Sequence, residues 1–346
     1  MIISRTPYRI SFFGGGTDYP AWYEKHGGCV LAAAINRYCY IFCRRLPPFF
    51  EHRHNVVYSQ IELVKTVDQI VHPAVREAMR LMEITQGLDI HHIGDLPKQT
   101  GLGTSSSFAV GLLNALHVLK GEMTTPEQLA KEATHVERDM CGDNVGSQDQ
   151  VTASHGGFNY VRFLPGNIIT VHPVVIPVQR MELFQKHLML YFTGFSRIAS
   201  DIAVEQIRNI PKKETELHAM QAMVEEGINI LREGRDFREF GALLQESWKL
   251  KRTLSSRISN NHIDAIYDKA IAAGALGGKL CGAGGGGFLL LFAEPDKQPA
   301  VRHALKDYLH VPFLFDWFGS TIIFHRPSPQ GMDADSALAA GDTLSA

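Results

Sequence analysis

The chain has 346 residues, 45% hydrophobic and 20% charged, with a formal net charge of −2. That length fits two domains with a core each, and the near balance of charge excludes a general nucleic-acid surface or acidic-membrane surface. The five cysteines, Cys29, Cys39, Cys43, Cys141 and Cys281, form no CxxC pair and read as reduced thiols of a cytoplasmic protein; no signal peptide is visible after Met1, and no apolar run is long enough to span a bilayer.

Residues 2–12 (IISRTPYRISF) read as a strand, and 29–46 as one long or two short strands. His52 and His54 would share a strand face, but no third ligand sits nearby, so they read as solvated surface histidines rather than metal ligands. Residues 68–86 carry Ile70, Val71, Val75, Met79 and Met82 at helical spacing, and Gly87 ends that helix. A short strand over 88–93 leads into LPKQTGLGTSSS, and 106–119 is apolar nearly all round, as in a buried helix. Thr125 is an N-cap with Pro126 at the first helical position and Gln128 completing a capping box. The helix that follows has an apolar stripe of Leu129, Ala133, Val136 and Met140, and Glu137 lies on it. An inward carboxylate needs a cation or a hydrogen-bond cluster, or it sits at the edge of the stripe beside an arginine.

A second half starts near residue 180. HLMLYFTG (187–194) reads as a strand, 197–210, 214–233, 236–254 and 261–274 as helices, and 287–294 as a strand. A helix over 296–309 and strands over 313–317 and 320–325 complete an alternation that fits a split βαβ, ferredoxin-like sandwich. The domains are therefore expected at 1–180 and 181–327, with 328–346 a small, polar, mobile tail.

Three glycine-rich loops carry the chemistry: FFGGGTDYP (12–20), the loop at 101–107, and KLCGAGGGGFLLL (279–291). None is a P-loop, since Leu280 follows Gly278-Lys279 where a hydroxyl belongs. Gly282, Gly284 and Gly287 spell G-x-G-x-x-G, but they open a strand rather than a helix, against a dinucleotide site. The second loop has the right context for phosphate: strand, tight turn, then the free N–H groups of a helix start, with Thr104, Ser105 and Ser106 adding hydroxyls for phosphate or a hard cation. Use of a serine as a simple cap is the alternative. A magnesium nucleotide needs a carboxylate, and Glu137 is the inward-facing candidate. Asp149, after the turn CGDNVGSQDQ, is a candidate proton acceptor, Arg9 a candidate counter-charge for a transferred phosphoryl group, and Asp18 a candidate polyol ligand. Turn-capping aspartates and a surface arginine remain the plainer readings of the last three.

In combination, TPYRISFFGGGTDY, LPKQTGLGTSSSFAVG and KLCGAGGGGF resemble the three motifs of the GHMP kinases, in order, and the resemblance covers most of residues 1–326. It implies an α+β, two-domain architecture: an N-terminal domain like domain 2 of ribosomal protein S5 and a ferredoxin-like C-terminal domain. It implies ATP on Lys98, Gly101, Leu102, Gly103, Thr104, Ser105, Ser106 and Ser107, magnesium on Ser105 and Glu137, Asp149 as base, and Arg9 beside the transferred phosphate. The GGGTD form of the first motif looks like the sugar 1-kinases that act on heptose 7-phosphate or fucose. The resemblance thus implies a small-molecule sugar phosphate as partner, with no nucleic acid or membrane, and leaves the oligomeric state open. The sugar is expected between the first and third loops, on Gly15, Gly16, Thr17, Asp18 and Gly284. Arg44, Arg45, Arg53, Lys98, Arg197 and Lys279 are the cations available for a substrate phosphate, with Arg197 and Lys279 first. Cys281 departs from the Thr or Ser of many members, which puts that side chain's part in substrate binding in doubt. A kinase for an unphosphorylated sugar, and a non-catalytic nucleotide- and sugar-binding regulator, are the alternatives.

Overall fold

The computed structural model describes residues 1–194 and 199–327. Strand β1 (Ile2–Phe13) leads through helix α1 (Pro20–His26) to β2 (Gly28–Arg45), and the two strands pair antiparallel with Arg9 opposite Ala34. Then come β3 (His54–Val57), β4 (Ile61–Val64), α2 (Pro73–Leu81) and β5 (Leu88–Gly94). Helices α3 (Thr104–Lys120), α4 (Pro126–Thr134) and α5 (Gln148–His155) precede β6 (Phe158–Leu164), β7 (Ile168–Pro173) and α6 (Val178–Lys186). The second half holds β8 (Leu188–Gly194), α7 (Ala199–Asn209), α8 (Glu214–Arg232), α9 (Phe237–Thr253), α10 (Asn261–Ala272), β9 (Gly277–Leu280), β10 (Gly287–Phe292), α11 (Gln298–Ala304), β11 (Leu309–His310) and β12 (Thr321–His325).

The first sheet runs β12-β1-β2-β5-β3-β4. With 18 residues, β2 outruns any single neighbour on its far side: Gly28–Ala33 pair with β6 and Cys39–Arg45 with β5. The second sheet runs β11-β8-β10-β9, all antiparallel. In order of appearance these strands stand 4-1-3-2, which is the ferredoxin-like split βαβ expected above. Phe12, near the end of β1, is fully buried against Phe158 (5.5 Å between ring centroids), Phe184 (5.8 Å), Phe240 (5.8 Å) and Phe315 (6.3 Å). These rings come from both halves of the chain, so one aromatic cluster fixes the two sheets against each other just behind the first glycine loop.

Several expectations need correction. The helix expected over 68–86 spans only Pro73–Leu81, because Pro73 holds His72 in an extended conformation (φ −64°, ψ 108°) and leaves a separate 3-10 turn at Val67–Gln69. The helix over 296–309 is the shorter α11, and 313–317 is no strand but one bridge, Ile35 to Phe315. α1, β3, β4, β6, β7, α6 and β9 escaped the periodicity reading; β3, β4 and β9 are four residues each, too short to show a period. β12 pairs with β1, so the last strand crosses the expected boundary at 180 and returns to the first sheet. Thr125 caps α4 by accepting from Gln128 N–H, but the Gln128 side chain turns to Glu132 instead of closing the box. His54 is buried, not solvated, and burial lowers it to about 4. No helix among the described residues is long and apolar enough to cross a membrane. The expected tail at 328–346 lies outside the described residues.

Candidate active site

The loop at 101–103 is shaped by glycine. Gly103 is the N-cap of α3 in the left-handed region (φ 73°, ψ 30°), and no side chain caps the helix. The first-turn N–H groups of this 17-residue helix are thus left for an anion. A Cβ on Gly103 would lie 3.1 Å from Arg9 Cγ and 3.4 Å from Asp149 Oδ2. These two residues, 140 apart in sequence, form a fork: Arg9 Nε donates to Asp149 Oδ1 and Nη2 to Oδ2, each at 2.7 Å. Arg9 Nη1 donates to Gly101 O, also at 2.7 Å. Burial pulls the guanidinium toward its neutral form, and the charge and hydrogen bonds of Asp149 outweigh this, so Arg9 is held firmly charged.

Asp18 lies behind the fork, fully buried. Gly16 N–H donates to its Oδ1 at 2.9 Å and Gln148 N–H to its Oδ2 at 3.4 Å. Burial raises its pKa, the Gly16 bond opposes this, and the Asp149 charge adds to it. Around it, Ser11 Oγ, Ser147 Oγ and Gln148 Oε1 are buried with no hydrogen-bond partner among the described residues. Buried polar atoms without a partner beside Asp18 are hydrogen-bonding groups that a polar ligand or water would satisfy. Sequence reasoning missed Ser11, Ser147 and Gln148; their only signal was closeness in the chain to Arg9 and Asp149.

Glu137 sits on a π-helical turn (His135–Met140) that continues α4, a local widening often found at functional sites. It is buried, accepts from Gln150 Nε2 at 2.6 Å, and has no cation within ion-pair distance among the described residues. Burial raises it to about 7, against the hydroxyls of Ser106 and Ser105 and the amide of Gln150. One carboxylate facing serine hydroxyls suits a hard cation that keeps phosphate and water oxygens as its other ligands. No cluster of three acidic, His or Cys ligands exists among the described residues, so the protein alone builds no closed metal cage.

Residues 64–157 match the GHMP kinases N terminal domain and residues 219–311 the GHMP kinases C terminal domain. A D-glycero-alpha-D-manno-heptose 7-phosphate kinase of Campylobacter jejuni is 31% identical over 330 residues, 88% of this chain and 93% of that protein. The chain belongs to the GHMP kinases. As a GHMP kinase it is a phosphotransferase. A bifunctional fucokinase/GDP-fucose pyrophosphorylase of Arabidopsis thaliana is 26% identical over 335 residues, 87% of this chain and 31% of that protein. In fold it is similar to the crystal structure of a D-glycero-D-manno-heptose 1-phosphate kinase of Bacteroides thetaiotaomicron, with TM-score 0.78 and 23% identity over 94% of this chain and all of that one.

Within this GHMP kinase the fold has already engaged several residues expected at the site. Ser107 is buried and donates to Pro7 O at 2.8 Å, so its hydroxyl ties α3 to β1 rather than facing a nucleotide. Thr17 is buried with its hydroxyl between Gly14 O (2.8 Å) and Cys29 O (2.9 Å), closing the first loop from within. Lys279 is buried and donates to Phe12 O at 2.9 Å, and burial lowers its pKa well below the ordinary value. That makes it a tie between β9 and β1 rather than an open phosphate anchor. A Cβ on Gly284 would lie 2.7 Å from Ile258 Cα, so this glycine is needed for backbone packing. Leu102 is buried and its carbonyl accepts from Arg9 N–H at 3.0 Å. Arg44 pairs with Asp89 at 2.8 Å, and Arg53 donates to Thr85 O at 2.9 Å. Ser105 and Lys98 stay exposed, while Gly15, Gly16 and Thr104 are half-buried. Arg197 lies outside the described residues.

Proposed function

We propose that this GHMP kinase is a sugar 1-kinase that phosphorylates the anomeric hydroxyl of D-glycero-D-manno-heptose 7-phosphate. The observation that carries the catalytic part is the Arg9–Asp149 fork set against Gly101 and Gly103 at the uncapped start of α3. The relative at 31% identity supports the choice of sugar.

When bound, MgATP supplies the phosphoryl group. The remaining work falls to this chain's residues. The helix start and loop N–H groups hold the phosphates, and Ser105 with Glu137 would hold the magnesium. Asp18 and the open polar atoms of Ser11, Ser147 and Gln148 orient the sugar hydroxyls. Asp149 Oδ2, on the loop side of the fork, takes the proton of the attacking anomeric hydroxyl. Arg9 keeps Asp149 in place and sets a fixed positive charge beside the oxygens on which negative charge spreads. A buried guanidinium held at three points does not have to reorganise as that charge develops, which is where most of the rate advantage of such a site arises.

A kinase for an unphosphorylated sugar of the fucose or galactose type is the second reading. It is favoured by the engagement of Lys279 with Phe12 O, which leaves no described cation of the third loop open to a second phosphate. A non-catalytic regulator fits less well, since Arg9, Ser105, Glu137 and Asp149 are all in place. The deciding experiment is an acceptor panel with ATP, read by ADP release and by phosphorus NMR of the product. Phosphate on C1 of heptose 7-phosphate is the expected result; turnover of free sugars with none of heptose 7-phosphate would overturn the choice of substrate.

A further inference from the structure

The third glycine loop is the part of the site least able to hold its own shape. Gly282, Gly284, Gly285, Gly286 and Gly287 all have positive φ, and glycine loses more backbone freedom on ordering than any other residue. The loop is held from outside. Gln206 Nε2 on α7 donates to Ala283 O at 2.8 Å, and Gly285 N–H donates to Ile258 O at 2.9 Å. Lys251 Nζ, from the last turn of α9, donates to Leu280 O at 3.1 Å and also to Gly282 O. Of these anchors only Lys251 is charged. It is buried, and no carboxylate lies within ion-pair distance of it among the described residues.

A buried ammonium without a counter-ion weakens a fold, and burial lowers this one to about 8. A neutral side chain of the same length would avoid that penalty, so the role of the charge has to be read from what it meets. Its electrostatic neighbours include Arg9, Asp18 and Asp149 of the candidate reaction centre, with Cys281 and Lys279 beside them. One carbonyl it grips belongs to Gly282, whose backbone rests on the phosphate loop: a Cβ there would lie 2.3 Å from Gly101 Cα. The Gly101 carbonyl in turn receives Arg9 Nη1, and Arg9 holds Asp149. Contacts therefore run without a break from Lys251 through Gly282, Gly101 and Arg9 to Asp149. Every link except the van der Waals contact of the two glycines is a charge-assisted hydrogen bond.

We propose that Lys251 is a positioning residue for phosphoryl transfer: its ammonium fastens the third glycine loop onto the phosphate loop and so sets the Gly101 carbonyl against which Arg9 and Asp149 are aligned. A displacement of the order of 1 Å at such a centre lowers turnover by about a hundredfold. The inference rests on the kinase reading but not on the identity of the sugar.

The test compares Lys251→Met and Lys251→Ala with wild type, using the best acceptor that the wild type turns over. Failure of heptose 7-phosphate as that acceptor thus leaves the comparison intact. The expected kcat of K251M is lower by about thirtyfold or more, with the KM for ATP within about threefold. Its melting temperature is expected to stay near that of wild type, because the loss of a buried charge offsets the loss of the two hydrogen bonds to Leu280 O and Gly282 O; a kcat that falls only together with a large drop in melting temperature marks a purely structural lysine and overturns the proposal. In K251A, added ethylammonium is expected to restore kcat at least about fivefold by returning an ammonium to the vacated space. A K251M kcat within threefold of wild type overturns the proposal, and so does a K251A enzyme that melts like wild type yet gains nothing from the amine.

Discussion

Replacing Asp149 with Asn separates two tasks that the fork assigns to one carboxylate. Asparagine keeps the shape but turns one of two oxygens, each 2.7 Å from an Arg9 N–H, into an NH2 facing a donor. One charge-assisted bond, worth about 1.5–3 kcal/mol, becomes a donor–donor contact. Arg9 also loses its counter-charge while its side chain is only 4% exposed. Breaking a fully buried pair costs about 3–5 kcal/mol. Two features reduce that figure: the Asp149 side chain is 24% exposed, so water relieves part of the loss, and the bond to Gly101 O survives. A net loss of about 2–3 kcal/mol follows, or roughly 3–4 °C in melting temperature for a chain of 346 residues. Most of the enzyme stays folded at 20 °C, since native stabilities are about 5–15 kcal/mol. Loss of a general base lowers kcat by about 10²–10⁴, and the loosened Arg9 keeps the variant toward the far end. ADP release at 20 °C, a fluorescent-nucleotide titration and a thermal melt read the three quantities. The expected result is ATP affinity near wild type, a lower melt and a kcat reduced by about 10³ or more. A kcat within tenfold of wild type with the lower melt intact would show that Asp149 only holds Arg9, and would refute its assignment as base.

Glu137→Gln keeps an oxygen for Gln150 Nε2 but removes the buried charge; the magnesium concentration for half-maximal rate is expected to rise about tenfold or more at unchanged or higher stability. An unaltered magnesium titration would remove Glu137 from the metal site. Gly146→Ala would put a Cβ 1.9 Å from Asp18 Oδ2, forcing the carboxylate off the Gly16 N–H it now accepts. The sugar KM is expected to rise about tenfold, as for one lost hydrogen bond to a charged group, with the ATP KM unchanged; steady-state kinetics against both substrates check this. His117 is held above its ordinary pKa, first by its hydrogen bond to Glu132 (2.7 Å) and further by Glu122 (3.0 Å). A histidine raised in the folded state contributes stability that is complete below its unfolded pKa of about 6.5 and is lost as pH rises through the higher folded value. The melting temperature is therefore expected to fall from pH 6.5 upward, and His117→Gln to flatten that slope; parallel slopes would exclude the clamp.

Much of the site was legible because its signals are local. Gly101 and Gly103 ahead of serines and an apolar helix announce a phosphate cradle within a dozen residues. The placement of Glu137 on an apolar stripe needed only the 3.6-residue period, although the π turn beneath it left no sign in the pattern. The second sheet was carried by the alternation of strands and helices and the N-terminal architecture by the resemblance of the motifs, while β1 and β2 were long enough to read as strands. β3, β4 and β9 were not, and Lys251 looked like any lysine in a polar helix, because nothing near it in sequence marks the loop it grips.

The sequence by itself determined which chemistry is present: three glycine loops, an arginine, two aspartates, a glutamate and a row of hydroxyls, each set by the residues beside it. Tertiary structure alone decided which of these groups remain available. Ser107 is consumed by Pro7, a hundred positions away, Thr17 by Cys29 and Lys279 by Phe12, whereas Ser11, Ser147 and Gln148 are left open around Asp18. Local pattern dictates the backbone and the kind of side chain, because both depend on neighbours a few bonds away. Whether a buried polar atom is satisfied depends on partners brought together from distant parts of the chain, and only the folded molecule contains them.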